Sequence, residues 1–265
     1  MSGKWGRAGA FVVAAGVGRA AYVAMRRRGD ARWLRENHAG RSVDLCAGPA
    51  TAVGAAVAAA SAARWAPRSG VGGGPAAFAV LAAGACGAYD DWKGDHRRGF
   101  RAHLGALRDG EVTSGTVKLV GIGAAGLVAG ALLKERPVDK VLAGVVIAGT
   151  AHFVNLVDVA PGRAVLTVLG LAAPGLLRGS LAAAPMGAAA AVLVDDLGER
   201  TMLGDTGAHA LGAAVGSAIA AGNGTFGLAV HAAGLVAAAA YGERGGSPRP
   251  EAGGGPIPPQ AHPCE

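Results

Sequence analysis

Apolar residues fall along this chain in long blocks, and charge is largely confined to the stretches between them. Many blocks approach the ~20 residues that cross a bilayer as a helix. They predict spans at residues 9–25, 45–65, 75–89, 115–133, 140–157, 163–177, 181–194, 207–221 and 226–241. The expected fold is all-α: a polytopic integral membrane protein of about nine transmembrane helices, with residues 1–241 as the membrane-embedded domain. Breakers sit where helices must end: Gly48-Pro49, the Gly/Pro turn at 66–74, and Arg178-Gly179-Ser180 inside a tight helical pair. Residues 242–265 are Gly/Pro-rich without periodicity, which predicts a disordered tail. The first block follows Lys4 and Arg7 as a signal peptide would, but Arg26-Arg27-Arg28 comes at once. Such a cluster holds its end in the cytoplasm, so an uncleaved span is expected, with Arg19 facing protein or snorkelling.

Composition agrees with lipid as the solvent. Of 265 residues only 16% are charged, against roughly 25% in a soluble domain. The 46 glycines and abundant alanines suit close helix packing in a membrane. The net charge of +7 does not indicate nucleic acid, because the basic residues gather in loops beside apolar runs instead of forming a stripe. Counted by loop, 15 basic residues lie on one face and 7 on the other, which makes the first face cytoplasmic. Cys46, Cys86 and Cys264 have no metal-ligand spacing.

The acids sharpen the picture. Asp90, Asp91, Asp95, Asp158, Asp195, Asp196 and Asp205 all fall on the cytoplasmic face, and only Glu135 and Asp139 lie opposite. A transporter would place its acids near the midplane; convergence at one interface suits an enzyme with a cytoplasmic substrate. Asp90-Asp91, at the mouth of the third span, are costly there without a cation. One candidate is Mg²⁺ carrying phosphate; the other is a helix-ending acid pair bridged to Arg97 or Arg98. Lys118 opens the fourth span as either a phosphate-binding point charge or a snorkelling anchor. Asn155 and Asp158 stand about one turn apart at the end of the fifth span, where helix termination is the plainer role. Gly204-Asp205-Thr206-Gly207 opens the eighth span either as a ligand-approaching N-terminus or as a capped glycine turn. His103 lies in the basic loop as a solvated histidine or a site residue.

The order Asp-Asp, Lys-Leu, Asn-Leu-x-Asp and Gly-Asp-Thr-Gly-Ala-x-Ala-Leu-Gly, spread from Asn37 to Leu228, resembles the polyprenyl-phosphate N-acetylhexosamine-1-phosphate transferases. These include phospho-N-acetylmuramoyl-pentapeptide transferase and the undecaprenyl-phosphate GlcNAc-1-phosphate transferases. The resemblance implies that Asp90 and Asp91 bind metal and activate the lipid phosphate, and that Lys118 is the interfacial lysine. It makes Asp205 the magnesium-binding aspartate, with Asp91 a further ligand or a support, and Asp158 catalytic. It places Arg41, Lys118, Asn155, Gly204 and Thr206 on the substrates. The chain departs from the family at Pro161, which replaces a second aspartate, at Thr201-Met202-Leu203, which lacks an aromatic residue, and in a missing histidine-rich loop.

The resemblance implies Mg²⁺ as cofactor and, as partners, polyprenyl phosphate, a nucleotide diphosphate-sugar such as a UDP-sugar, and the lipid bilayer. Nucleic acid is not among them, and a homodimer stays open. The expected activity is transfer of a sugar-1-phosphate to the lipid at the cytoplasmic face of the cell membrane, in envelope polymer synthesis such as that of peptidoglycan. Asp90 is expected to act as base or as carboxylate nucleophile. A non-catalytic relative that binds polyprenyl-linked lipid or an envelope-synthesis partner is the alternative.

Overall fold

A computed structural model describes residues 2–37, 39–65, 73–94 and 105–245. The expectations placed on Asp95, Arg97, Arg98, His103 and the tail beyond residue 245 lie outside the described residues.

The described chain is overwhelmingly helical. Helix α1 (Ser2–Arg28) leads through a 3₁₀ turn (Ala31–Trp33) into a hairpin of β1 (Leu34–Glu36) and β2 (Ser42–Asp44). Then come α2 (Ala47–Trp65), α3 (Gly73–Lys93), α4 (Ser114–Leu133) and α5 (Pro137–Val157). Helix α6 (Arg163–Ala172), continued by a 3₁₀ stretch (Ala173–Leu177), precedes the short α7 (Ala183–Ala190) and α8 (Leu193–Leu197). Helices α9 (Gly204–Gly222) and α10 (Thr225–Gly245) complete the bundle. Among the described residues four stretches are long and apolar enough to cross a membrane: Trp5–Arg28, Ser114–Leu133, Pro137–Val157 and Thr225–Gly242. Residues 181–194, expected as one span, instead hold the eight-residue α7, only about 12 Å long, and a turn at Ala191-Val192.

Helix α9 is the central post, with 13 of its 19 residues buried. Its Leu211, Ala214 and Val215 join the core shared by α1, α2, α6 and α7. Its Ala213 and Ala220 join the core of α3, α4, α5 and α10. Most of these core residues are alanines, so backbones approach closely and packing carries the association.

The helix ends sort into two ends of the bundle. At one, Lys134 Nζ donates to Asn223 O at 2.7 Å, and Arg178 Nη1 donates to Gly222 O at 3.0 Å and to Asn223 Oδ1. At the other lie the C-termini of α1, α3 and α5, the N-termini of α4 and α9, α8 and the hairpin, and here the acids meet. Arg19 of α1 faces protein: its Nη1 pairs with Asp195 Oδ2 of α8 at 2.5 Å. Two turns on, Arg26 Nε pairs with Asp44 Oδ2 at 3.0 Å, tying the hairpin to the same helix.

Candidate active site

The sequence supplies no side chain to cap α9. Its N-cap is Leu203, which has no acceptor to offer the first-turn amides. Asp91, from the end of α3, performs that task across the bundle. Its Oδ1 accepts from Asp205 N at 3.0 Å, and its Oδ2 accepts from Thr206 N at 3.0 Å and Thr206 Oγ1 at 2.5 Å. A carboxylate there also meets the positive end of the helix dipole. Gly204 makes the fit: its φ is +60°, and a Cβ on it would lie 3.0 and 3.1 Å from the two Asp91 carboxylate oxygens. On α3, Gly87 lets the helices close, since a Cβ there would collide with the Asp205 carbonyl.

With that docking in place, Asp90 and Asp205 come together on one cation. Lys118 Nζ, from the first turns of α4, pairs with Asp90 Oδ2 at 2.6 Å and with Asp205 Oδ2. Thr113 starts α4 by accepting from Thr116 N at 3.1 Å, which places Lys118 on the turn that follows. Directly below, buried His209 donates from Nδ1 to the Asp205 carbonyl at 2.7 Å, bracing the same turn.

These groups open onto a cleft of about 500 Å³ whose wall includes Asp205, Gly204, Asp91, Asn155, Asp158, Pro161, Asp196, Glu199, Met202 and Arg35. Asp158 stands at the end of α5 with its carboxyl pushed up to about 7. The causes are burial first, then the negative charges of Asp196, Asp205 and Asp91. Asp196 is also pushed up by burial, against the Gly162 N–H that its Oδ2 accepts at 2.7 Å. Asp195 behaves oppositely. Burial pushes it up, but hydrogen bonds and charge from Arg19 and Arg200 outweigh that and hold it below the usual carboxylate range.

Most of the residues singled out from sequence therefore share one end of the bundle. Asp91, Asp158, Asn155, Gly204 and Asp205 line the cleft; Asp90 and Lys118 join it through Asp205, and Thr206 through Asp91. Arg41 stands apart from the cleft wall, paired with Glu199 at 3.2 Å, while Asn37 Nδ2 donates to the same carboxylate at 2.8 Å. Glu199 itself takes a left-handed conformation, φ +51°, uncommon for a residue with a side chain. Arg35 and Asp196 were given no role from sequence. The doubled acid Asp195-Asp196 was a usable signal, whereas Arg35 looked like one more basic loop residue.

The donor set bears on whether Mg²⁺ would fit. Among the described residues no three His, Cys, Asp or Glu side chains gather to hold an ion. Asp205 and Asp158 nevertheless offer hard oxygens on one wall, and no Lys or Arg among the described residues pairs with Asp158 or Asp196. One or two carboxylates completed by water and substrate phosphate are the usual magnesium shell, so the residues fit that mode. In comparisons with known proteins, no family model matches the chain and no curated protein is significantly similar to it.

Proposed function

We propose that the chain is a membrane phosphoglycosyl transferase that moves a sugar-1-phosphate from a nucleotide diphosphate-sugar to polyprenyl phosphate. The observation that carries this is the joining of Asp90, Lys118 and Asp205 behind an acid-lined cleft, organised by Asp91 on the α9 N-terminus. The proposal includes about nine passages through the bilayer, residues 181–194 among them, and a cytoplasmic cleft beside α8. The excess of basic residues flanking that end supports the orientation.

In this reaction a phosphate oxygen of the lipid attacks the sugar-bearing phosphorus, and the bond to the nucleotide phosphate breaks to release a nucleoside monophosphate. Asp90, held by Lys118 at 2.6 Å, keeps the lipid phosphate ionised and aligned, and Lys118 places positive charge beside it. Asp91 fixes Asp205 by holding its backbone amide, so support is the role its geometry favours over ligation. Mg²⁺, held by Asp205 with Asp158 beside it, would supply charge neutralisation at the diphosphate. Asn155 and Met202 line the space left for the donor.

The test uses protein purified in detergent with undecaprenyl phosphate, Mg²⁺ and a panel of UDP-sugars. Release of UMP that requires lipid and Mg²⁺ and is lost in Asp90→Ala supports the transferase; silence across the panel counts against it. One observation favours a second reading, a non-catalytic relative that binds the lipid. Lys118 already occupies both Asp90 and Asp205 with an ion pair. Undecaprenyl phosphate binding without turnover, unchanged in Asp90→Ala, is the outcome that reading requires.

A further inference from the structure

The hairpin that follows α1 delivers one guanidinium to the cleft. Residues flanking Arg35 on β1 are exposed, while Arg35 itself is half-buried and lines the wall shared with Asp205. Its Nη1 donates to Arg32 O at 3.0 Å and Leu34 O at 2.7 Å, and its Nη2 donates to Asp91 O at 2.8 Å. All three acceptors are neutral carbonyls, and among the described residues no carboxylate pairs with Arg35. Arg19, Arg26, Arg32, Arg41 and Arg200 at this end each hold a carboxylate. Arg27, Arg28 and Arg163, which hold none among the described residues, are exposed and off the cleft wall.

Arginine has five N–H donors. Three are committed, which pins the plane of the group and leaves Nε–H and one Nη2–H for another acceptor. The bond to Asp91 O fastens that plane to the residue that orients Asp205. Capping the end of α3 accounts for one of these bonds; it does not account for an unneutralised charge on the wall of a cleft.

Resting on the transferase reading, we propose that Arg35 is a substrate-binding residue that grips the diphosphate of the soluble nucleotide-linked donor. A phosphoryl oxyanion is the ligand that two remaining guanidinium N–H groups suit, in a bidentate or paired contact. The donor is favoured over the lipid phosphate because Arg35 reaches the cleft from a hairpin whose exposed residues include the charged or polar Glu36, Arg41 and Ser42, whereas Lys118 and Asp90 sit at helix ends inside the bundle.

Inorganic pyrophosphate is the probe, titrated calorimetrically against full-length protein in detergent, with and without Mg²⁺; farnesyl phosphate is titrated in parallel. Arg35→Gln should weaken pyrophosphate binding about tenfold or more. Arg35→Lys, which keeps the charge and can still reach Asp91 O, should recover part of it. Arg32→Gln, which removes an exposed charge from the same segment, should bind as wild type does. If Arg35→Gln does not fold, the Arg35→Lys and Arg32→Gln comparison carries the test alone. Undiminished pyrophosphate binding in the Arg35 variants, no binding by wild type, or a loss confined to farnesyl phosphate overturns the proposal. Loss of pyrophosphate binding with no turnover on any donor upholds Arg35 and sinks the transferase. Turnover with an unchanged donor KM in Arg35→Lys and Arg35→Gln does the reverse.

Discussion

Asp91 and Asp205 are both acids of the cleft, yet the geometry gives them different work, and Asp91→Asn separates the two. Asp91 accepts three hydrogen bonds from the first turn of α9 with both oxygens. Asparagine keeps one oxygen, turns an NH₂ toward a backbone amide and removes the charge from the helix N-terminus. Bonds to a charged acceptor contribute roughly 1.5–3 kcal/mol each and the dipole about 1 kcal/mol, so a loss of about 3 kcal/mol is expected. For a chain of this size each kcal/mol moves Tm by roughly 2–4 °C. The predicted fall is therefore about 6–12 °C, read by thermal unfolding in detergent. Turnover should fall about a hundredfold or more, because Asp205 rides on the turn that loosens. Added Mg²⁺ should restore neither quantity. A variant that melts within about 1 °C of wild type, or whose turnover returns as Mg²⁺ is raised, refutes the capping role and restores Asp91 as a ligand.

Other perturbations address the neighbouring groups. Lys118→Met leaves Asp90 and Asp205 facing each other without their cation and should cost about 3 kcal/mol of stability; a melting curve superimposable on wild type would contradict the pairing. Gly204→Ala forces a side chain onto a positive φ and against the Asp91 carboxylate, and should cost about 2 kcal/mol or more, measured the same way. Asp158 gives a pH test. Its folded carboxyl titrates near 7 while an unfolded aspartate titrates near 4, so between those values the folded state binds the extra proton. Stability from this group is therefore present below about pH 4 and is lost as pH rises through about 7. Wild type should lose stability between pH 5 and pH 8 relative to Asp158→Asn, and Mg²⁺ should reduce that loss; parallel profiles would dismiss the shift.

How much of this was legible in the sequence depended on whether a residue's role is local. Asp90-Asp91 and Gly204-Asp205-Thr206-Gly207 stood out because acids and glycines at the ends of apolar runs are conspicuous, and these two stretches do dock on each other. What they do to each other was not legible. Leu203 at the N-cap gives no hint that the cap arrives from α3, and Lys118, read as a phosphate-binding charge or a snorkelling anchor, gave no sign that it stands between Asp90 and Asp205. The hairpin was missed because strands of three residues carry too little alternation to be seen. Its register, with Arg35 opposite Val43, is what turns one basic residue of a loop toward the cleft. Helix α7 was expected to be longer because 181–194 is apolar throughout; Gly187, packed against the Phe11 carbonyl, and the turn at Ala191-Val192 reflect contact with α1 that no periodicity encodes.

Transfer changes the lipid covalently, so the lipid itself carries the decisive readout. Protein in detergent is incubated with undecaprenyl phosphate, Mg²⁺ and each UDP-sugar, and the extracted lipid is weighed by mass spectrometry. A transferase yields a lipid heavier by one sugar-phosphate, present with wild type and absent with Asp90→Ala and Asp205→Asn. Undecaprenyl phosphate recovered unchanged from wild type with every donor, while still bound by the protein, would contradict the transferase reading.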